Sequence, residues 1–299
     1  MKVALRILFW CIVFVGMCLL FCVTDTEGAW GDSRTDITLL SDEGETVLSL
    51  DQYLLGALGA EMPAEFETEA LKAQAVAIRS YILAGTRHGD KTVCTDSSCC
   101  IGYRTLPELY EQWGAHADAY LRKLRGAIRS TDGEYLTYEG QAAQAVFHAS
   151  SSGTTENSAA LWNAVPYLIS VDTPETEESV SSSVCFSPGE LADALGLSQA
   201  PEAVGSIAYE PSGRVRSAEF GGVLFSGPEL RSRLGLAGTD FDVCFDGESF
   251  VFTVRGKGHG IGMSQTGADI YAAEGWDYQA ILAHYYPGTE LASLCPPAP

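Results

Sequence analysis

A single glutamate in a turn-like stretch is the first residue whose type and setting suggest chemistry. Glu61 lies in the segment Ala60–Pro63, at a glycine-containing turn just before a helix-like pattern. A carboxyl group among apolar neighbours has a raised pKa and can act as a general acid. The start of a helix also favours an exposed negative charge, so spacing alone leaves a purely structural role for Glu61 open.

Two further segments carry histidine beside small or hydroxylated residues. In Phe147–Gly153, His148 and Ser151 are residue types used in nucleophilic catalysis, but the segment holds no G-x-S-x-G elbow, which favours a polar loop. The segment Gly256–Gln265 matches neither common phosphate-binding glycine motif. Its glycines are expected to let the backbone approach a bulky ligand and to present His259 to it.

Four residues with zinc-type ligands follow closely upon one another, namely His88, Cys94, Cys99 and Cys100. Thiolates and imidazole suit Zn²⁺, which prefers four tetrahedral ligands. The spacing is not that of a standard zinc finger, and a disulfide or free thiols are the alternatives, the former favoured by an oxidising compartment. The sequence predicts a zinc site here, with a structural role.

The elements that must position these residues read as a mixture of helices and mainly antiparallel strands. One apolar stripe with helical period predicts a helix over residues 65–84. Further helices are predicted at 107–130, 189–195, 228–234, 264–274 and 277–284. Strands are predicted at 205–210, 215–225 and 248–255, with a hairpin over 134–147 that turns near Glu139–Gly140 and a small-residue loop at 150–160. The predicted fold class is therefore α+β, with a core and an inserted smaller subdomain at 188–254.

The N-terminus predicts how the chain is placed in the cell. Lys2 and Arg6 precede an apolar run from Ile7 to Val23, and acidic residues follow from Asp25. This charge order predicts a retained single-pass anchor at 1–23, favoured over a cleaved signal, then a linker at 24–45 and an extracytoplasmic domain at 46–295.

The net charge of the chain limits which classes of molecule it is expected to bind. The formal net charge is −21, and no basic patch stands out beyond the N-terminal residues and the short run at 122–125. Such a surface repels the phosphates of nucleic acids, so no nucleic-acid partner is expected. In the acidic second half, Cys185 and Cys244 are candidates for a disulfide with each other.

Six segments together resemble one known family, that of stage II sporulation protein D. They are YLLGALGAEMPAEF, EALKAQAVAIRSYIL, AVFHASSSGTTENSAALW, PYLISV, GKGHGIGMSQTGADIYAAEG and ILAHYYPGT, in the family's order over residues 47–292. The resemblance implies a membrane-attached lytic transglycosylase, a lyase, that cuts peptidoglycan glycan strands stripped of their stem peptides during forespore engulfment. It also implies stage II sporulation proteins P and M as partners.

The resemblance assigns roles to residues of this chain. Glu61 is implied as the catalytic acid and base, and some clostridial members resemble this chain in a zinc site at His88, Cys94 and Cys100. Cys99 is an extra thiol, and Thr154 replaces the second glycine of the family's usual Ser-Gly-Gly. The implied substrate-binding residues are Lys72, Gln74, Arg79, His148, Ser151, Ser152, His259 and Gln265.

A lytic transglycosylase needs one carboxyl group where hydrolysing glycosidases use two. The substrate's own 6-hydroxyl attacks the anomeric carbon, and Glu61 serves first as acid and then as base. Lys72 and Arg79, two turns apart on one helix face, are expected to hold the lactyl carboxylate of a peptide-free sugar, or else to pair with Glu67 or Glu69. The competing functions are a non-catalytic glycan-binding scaffold and an amidase that uses zinc at His88.

Overall fold

The computed structural model describes residues 35–97, 99–176 and 181–294. The predicted anchor at 1–23, the first half of the linker at 24–45 and Cys295 lie outside these ranges. Within the described ranges, the helices are all too short or too polar to cross a bilayer.

The first half of the chain alternates short strands with helices. In order, its elements are β1 (Asp36–Ser41), β2 (Gly44–Ser49), α1 (Leu50–Glu61), α2 (Thr68–Leu83), β3 (Thr92–Cys94), α3 (Leu106–Trp113), α4 (Ala117–Ser130), β4 (Glu134–Tyr138), β5 (Gln141–Ala142) and β6 (Phe147–His148). Short 3₁₀ turns occupy Gly114–His116 and Ser158–Ala160.

The second half contains most of the strands. In order, its elements are β7 (Ser181–Phe186), α5 (Pro188–Leu195), β8 (Val204–Tyr209), β9 (Val215–Phe220), β10 (Val223–Ser226), α6 (Gly227–Leu234), β11 (Asp240–Phe245), β12 (Phe250–Arg255), β13 (Met263–Ser264), α7 (Gln265–Ala273), α8 (Tyr278–Tyr285) and β14 (Glu290–Ser293).

The strands form several small sheets, and the fold is mixed α+β as predicted. The sheet orders are β2-β1-β3, β14-β4-β5, β13-β6, β10-β9-β8 and β11-β12-β7. Most neighbours run antiparallel, and the parallel pairs are β1 with β3 and β13 with β6. Because β6 and β13 are far apart in sequence, their pairing brings the His148 segment beside the glycine-rich segment.

The larger core surrounds α2, which contacts α1, α4, α7, α8 and β4. Its alanines at positions 70, 73, 75 and 77 are all fully buried. Small side chains on several faces let neighbouring helices approach the backbone closely, and alanine has the highest helix propensity. The start of α1 is secured by a capping box, in which Ser49 and Gln52 exchange hydrogen bonds.

A second core lies between Leu191 and Val254 and is rich in phenylalanine. Phe220, Phe241, Phe250 and Phe252 are fully buried, and Phe252 contacts two of the other rings. Its elements run from β7 to β12, around the predicted subdomain at 188–254. Two strands here, β7 and β11, are absent from the sequence prediction, because their acidic and serine-rich residues mask the alternation of a strand.

Several predicted boundaries change for local reasons. The helix predicted at 107–130 breaks between Trp113 and Ala117, where Gly114 has a φ of 50°. The strand predicted at 215–225 is two strands joined through Gly221–Gly222, whose φ values of 57° and 79° suit a two-residue hairpin turn. The hairpin at Glu139–Gly140 is confirmed, but its second strand ends at Ala142.

The suggested disulfide between Cys185 and Cys244 is wrong. Cys185 on β7 and Cys244 on β11 both stand opposite Val251, one on each side of the central strand β12. Two strand spacings put their Cα atoms roughly 10 Å apart, beyond the roughly 7 Å that a disulfide can bridge. Both are exposed free thiols.

Arg79 of α2 lies inside the larger core, although it shares a helix face with Lys72, which is partly exposed two turns earlier. Its side chain is fully buried, its Nη1 donates to the Glu134 carbonyl at 2.6 Å, and its Nη2 lies 4.0 Å from Asp51 Oδ1. Burial lowers the pKa of Arg79, and Asp51, Asp132 and Glu134 partly offset that effect. Arg79 therefore joins α1, α2 and β4 electrostatically and does not reach solvent.

We predict that Arg79→Met destabilises the fold by about 3–5 kcal/mol, because it leaves buried Asp51 without its counter-charge. Urea unfolding measures this free energy. Lys72→Met is the matched control on the same helix. Lys72 is partly exposed in its pair with Glu69, so its loss is expected to cost less than about 1 kcal/mol. Equal stabilities of the two variants would contradict the structural role of Arg79.

Candidate active site and metal cluster

Glu61 is the last residue of α1, so it closes one helix and does not stand at a turn before the next. That position offers no dipole stabilisation for a carboxylate, since the C-terminal end of a helix carries partial negative charge. The side chain is half-buried, and its Oε1 accepts a hydrogen bond from the Gly102 backbone N–H at 2.5 Å. Burial raises the pKa of Glu61, and the Gly102 hydrogen bond offsets part of the rise.

The segment from Ile101 to Arg104 packs against α1 and encloses Glu61. Ile101 is buried, and the Tyr103 ring stacks on Tyr53 of α1 at 5.4 Å between centroids. The Arg104 N–H bonds to the Gly56 carbonyl at 3.3 Å. A Cβ on Gly102 would stand 2.8 Å from Glu61 Oε1, so a larger residue here would require the Glu61 carboxyl group to shift.

His88, Cys94, Cys99 and Cys100 are brought together as predicted. One ligand atom from each lies within 4.8 Å of all the others, and Cys99 Sγ is 3.4 Å from His88 Nε2. In a tetrahedral zinc site with bonds of about 2.0–2.3 Å, neighbouring ligand atoms stand about 3.4–3.8 Å apart. The donor set and the spacing therefore fit a metal such as Zn²⁺ with all four positions filled by protein, which is the form of a structural site.

The metal cluster and Glu61 share one loop. Cys100 directly precedes Ile101 and Gly102, whose backbone holds the glutamate. Burial is the largest cause of the raised pKa of Tyr53, and the charges of Cys100, Glu61 and Cys94 add to it, so the tyrosine lies near both the cluster and the glutamate. A metal ion bound here would fix the loop that desolvates Glu61.

His148 and Ser151 form a buried pair with the geometry of a base and a hydroxyl. Ser151 Oγ lies 2.6 Å from His148 Nε2, and His148 Nδ1 lies 3.1 Å from the Ile261 carbonyl, to which it donates. Burial holds the pKa of His148 well below its ordinary value, which keeps the ring neutral. Ser151 is fully buried and His148 is 4% exposed, so a polymer substrate cannot reach the pair.

Two residues that sequence reasoning missed complete this buried network. Glu175 accepts hydrogen bonds from the Ser151 N–H at 3.0 Å and from the Ser264 hydroxyl, and burial raises its pKa. Arg214 donates through Nη2 to Ser151 Oγ at 3.2 Å and to the Thr154 carbonyl at 3.1 Å. Glu175 lies in an acidic run that reads as solvated surface, so the sequence offered no signal for its burial.

The glycines of the segment Gly256–Gly262 serve the chain's own packing. A Cβ on Gly262 would stand 2.0 Å from the Val146 carbonyl oxygen, and one on Gly260 would stand 2.5 Å from Arg214 Nε. Both residues also have positive φ values, 71° and 81°. The expectation that these glycines admit a bulky ligand is therefore corrected: at these positions they admit a neighbouring strand and a guanidinium group.

The other predicted substrate-binding residues are spread over three places. Lys72 Nζ pairs with Glu69 at 2.5 Å. Gln74 and Gln265 are buried at the contact of α2 with α7, with 3.5 Å between Gln265 Nε2 and Gln74 Oε1. The hydroxyl of Ser152 donates to Asp240, which ties the larger core to the phenylalanine-rich one.

His259 remains partly exposed at the edge of the buried network. Its Nδ1 accepts from the Ile261 N–H at 3.0 Å, and its ring lies 5.1 Å from that of Trp162. Burial first, and then the charge of Arg231, lower its pKa to about 4, so the ring is neutral at physiological pH. Among the predicted catalytic and substrate-binding residues, Glu61, Lys72, Ser152 and His259 thus keep some access to solvent.

Comparison with known proteins matches most of the chain to one group. A family profile described as Stage II sporulation protein matches residues 45–138, a range that contains Glu61 and the metal cluster. Stage II sporulation protein D of Bacillus subtilis (strain 168) is 36% identical over 256 residues, covering 82% of this chain and 75% of the relative. The protein of the same name from Bacillus amyloliquefaciens is 35% identical, covering 82% and 74%.

A more distant relative carries a different name. The Amidase enhancer of Bacillus subtilis (strain 168) is 27% identical over 300 residues, which cover 80% of this chain and 40% of the relative.

We predict that Glu61→Gln stabilises the fold more as the pH rises. A carboxyl group whose pKa is raised by folding disfavours the folded state once the pH exceeds 4.5, the ordinary value for glutamate. Glutamine keeps an acceptor for the Gly102 N–H without the charge. The melting temperatures of variant and wild type should agree near pH 4 and separate in favour of the variant by pH 8. A variant that is less stable at pH 8 would contradict the burial of Glu61.

We predict that Zn²⁺ raises the melting temperature and that removing it with a chelator lowers it. Saturation at about 100 times the dissociation constant stabilises a site by about 2.7 kcal/mol. Cys100→Ser should lose both the bound zinc and the stabilisation, whereas Cys244→Ser, at an exposed thiol outside the cluster, should keep both. Metal content by mass spectrometry beside calorimetry tests this, and zinc-free protein from zinc-replete medium would contradict it.

Proposed function

The chain belongs to the stage II sporulation protein D family, and from that premise we propose that it is a peptidoglycan lytic transglycosylase. It cleaves glycan strands stripped of their stem peptides and leaves anhydro-sugar ends, and it acts in forespore engulfment during sporulation. The similarity covers 82% of the chain, so it supports a role for the domain as a whole and not for one motif.

One observation carries the chemical part of the proposal. Glu61 is half-buried and its pKa is raised by burial, while no other carboxylate of the described chain contributes to that shift. A raised pKa increases the protonated fraction of this carboxyl group at any given pH, which favours its use as a general acid. Hydrolysing glycosidases place a second carboxyl group within about 10 Å for water or for a covalent intermediate, whereas a lytic transglycosylase has no need of one.

The hydrogen bond to Gly102 assigns different tasks to the two carboxyl oxygens. Oε1 accepts the Gly102 N–H, so Oε2 is the oxygen that carries the proton. In the first step Oε2 gives this proton to the glycosidic oxygen, and the bond from that oxygen to the anomeric carbon breaks, with its electron pair going to the leaving oxygen. The substrate's 6-hydroxyl oxygen then bonds to the anomeric carbon, and Glu61 takes the hydroxyl proton. The carboxyl group is thereby restored and no water is consumed.

The metal cluster has a structural task in this proposal. His88, Cys94, Cys99 and Cys100 would hold Zn²⁺, which crosslinks the loop when bound. The chain's own Ile101, Gly102 and Tyr103 then keep water away from Glu61. The four donors fill the tetrahedron, which argues against an amidase with an open zinc position.

The placement of the protein in the cell follows from the same proposal. Residues 1–23 would anchor it in the cell membrane as a single span. The predicted linker at 24–45 would end before β1, since β1 and β2 pair within the folded domain. That domain, from β1 to residue 295, would work outside the cytoplasm as the catalytic domain. The phenylalanine-rich core within 188–254 would be its inserted subdomain. Its substrate is peptidoglycan, its partners are stage II sporulation proteins P and M, and the net charge of −21 disfavours nucleic acids as partners.

A second function is favoured by one of the relatives. The relative named Amidase enhancer is described by its effect on another enzyme. A chain of that kind would bind glycan strands as a non-catalytic scaffold of the engulfment complex, without Glu61 chemistry.

We predict that the full chain releases fragments with anhydro ends from peptide-free glycan strands, and that Glu61→Gln reduces this release by about 10²–10⁴-fold. Mass spectrometry of the products distinguishes anhydro ends from reducing ends. Cys244→Ser is the control, because it changes one exposed thiol on β11, far from the glutamate in sequence and outside the metal cluster.

The other outcomes identify the competing functions. Reducing ends would indicate hydrolysis and a second carboxyl group. Intact strands that are bound equally by wild type and Glu61→Gln would indicate the scaffold. Released stem peptides would indicate an amidase.

A further inference from the structure

A cavity of about 380 Å³ lies between the two cores of the molecule. Leu161 and His259 line it from the larger core, and Arg231, Ser232 and Thr239 line it from the phenylalanine-rich one. This volume is within the range of about 300–1,000 Å³ that is typical of small-molecule sites. The hydrogen bond from Ser152 to Asp240 joins the two halves of the molecule, and Arg255 holds the same carboxylate at 2.8 Å from within the phenylalanine-rich half.

Arg231 gives the cavity a positive charge that no carboxylate among the described residues neutralises. Its side chain is half-buried on α6, and the described residues that line the cavity include no carboxylate. Burial lowers the pKa of Arg231, and no described carboxylate contributes to that shift. Arg216, Arg233 and Arg255, in the same part of the chain, each form an ion pair with a carboxylate within 3.0 Å. In a chain with 39 acidic and 18 basic residues, a cation kept apart from carboxylates is a specific feature of this cavity.

An aromatic surface stands beside this charge. Trp162 is 49% exposed, and its ring lies 5.1 Å from that of His259, which lines the cavity. His259 is neutral and its Nδ1 is engaged by the Ile261 N–H, so the ring contributes a wall and no charge. An exposed indole next to polar groups is the usual platform for the apolar face of a sugar ring.

We propose that this cavity binds a sugar ring that bears a free carboxylate, with the carboxylate on Arg231 and the ring against Trp162. The guanidinium fork matches a carboxylate in two parallel hydrogen bonds. Amidation of the carboxylate removes its charge and one acceptor, so the cavity discriminates against the amidated sugar. The inference rests on the proposed function, for which it supplies the substrate class: the lactyl carboxylate of muramic acid is free in stripped strands and amidated where a stem peptide is attached.

This assignment replaces the one expected from the sequence. Lys72 is paired with Glu69 and Arg79 is buried against Asp51, so neither presents a free cation to a sugar carboxylate. Arg231 lies far along the chain from that helix, on an element whose surface reads as ordinary solvated charge.

The test measures binding of N-acetylmuramic acid and of its lactyl amide to the full chain in detergent, by titration calorimetry and ligand-observed NMR. A monosaccharide has no glycosidic bond to cut, so the measurement is independent of catalysis. We expect the acid to bind about 10-fold to 100-fold more tightly than the amide. Arg231→Gln should reduce the affinity for the acid to that for the amide, and Trp162→Ala should weaken both ligands by a similar factor.

The matched control is Arg216→Gln, at an exposed and paired arginine in the same part of the chain, which should leave both affinities unchanged. Trp162 is exposed, so its variant tests the site without a risk to folding. Equal binding of acid and amide by wild type, or acid binding that survives Arg231→Gln, would overturn the proposal.

The strand-cutting assay separates this inference from the proposed function. If stripped strands are cut equally well by Arg231→Gln and wild type, the proposed function stands and the carboxylate site is wrong. If wild type cuts no strand, but binds the acid more tightly than the amide and loses this preference in Arg231→Gln, the carboxylate site stands and the catalytic proposal is wrong.

Discussion

The packing around the central helix α2 is the constraint on which the rest of the structure depends. Fully buried alanines let α1, α7 and α8 approach its backbone, and a fully buried arginine joins it to α1 and β4. Glu61 is the last residue of α1, and the glycine-rich segment leads directly into α7. The positions of Glu61 and of the glycine-rich segment are therefore both set by α2. This arrangement is sensitive to substitution of either charged residue, because removing Asp51 or Arg79 would leave the other charge buried without its counter-charge.

Removal of water shifts the ionisation of the site groups in a consistent direction, towards their neutral forms. Burial is the largest cause of the raised pKa of Glu61 and of the lowered pKa values of His148 and His259. The consequences differ with exposure. Glu61 is half-buried and can exchange a proton with a ligand. His148 is enclosed with Ser151, and its neutral ring joins Ser151 to the Ile261 carbonyl by hydrogen bonds. Titratable residues thus take a chemical or a structural role according to their exposure to solvent.

The candidate functional groups occupy separate surfaces of one framework. The metal cluster and Glu61 share the loop that ends at Tyr103, and within the described ranges no hydrogen bond joins them to the His148 network. The cavity at Arg231 borders that network from the other core, through His259. Glu61 and the cavity at Arg231 are open to a ligand, whereas the His148 network is buried and is not. This arrangement is consistent with a glycan strand as the ligand.

Local patterns were sufficient for much of this molecule. Helical period and capping signals predicted most helices, Glu139–Gly140 predicted a hairpin turn, and the close spacing of His88 and the three cysteines predicted a metal cluster, because all of these depend on residues near one another in sequence. The tertiary structure alone decided that Glu61 closes a helix under a loop, that Arg79 and Ser151 are buried, and that a strand separates Cys185 from Cys244. It also decided that Glu175 and Arg214 belong to the site network and that Arg231 faces a cavity. Burial and partner choice arise from contacts between segments far apart in the chain, and periodicity reports only which face of an element is apolar.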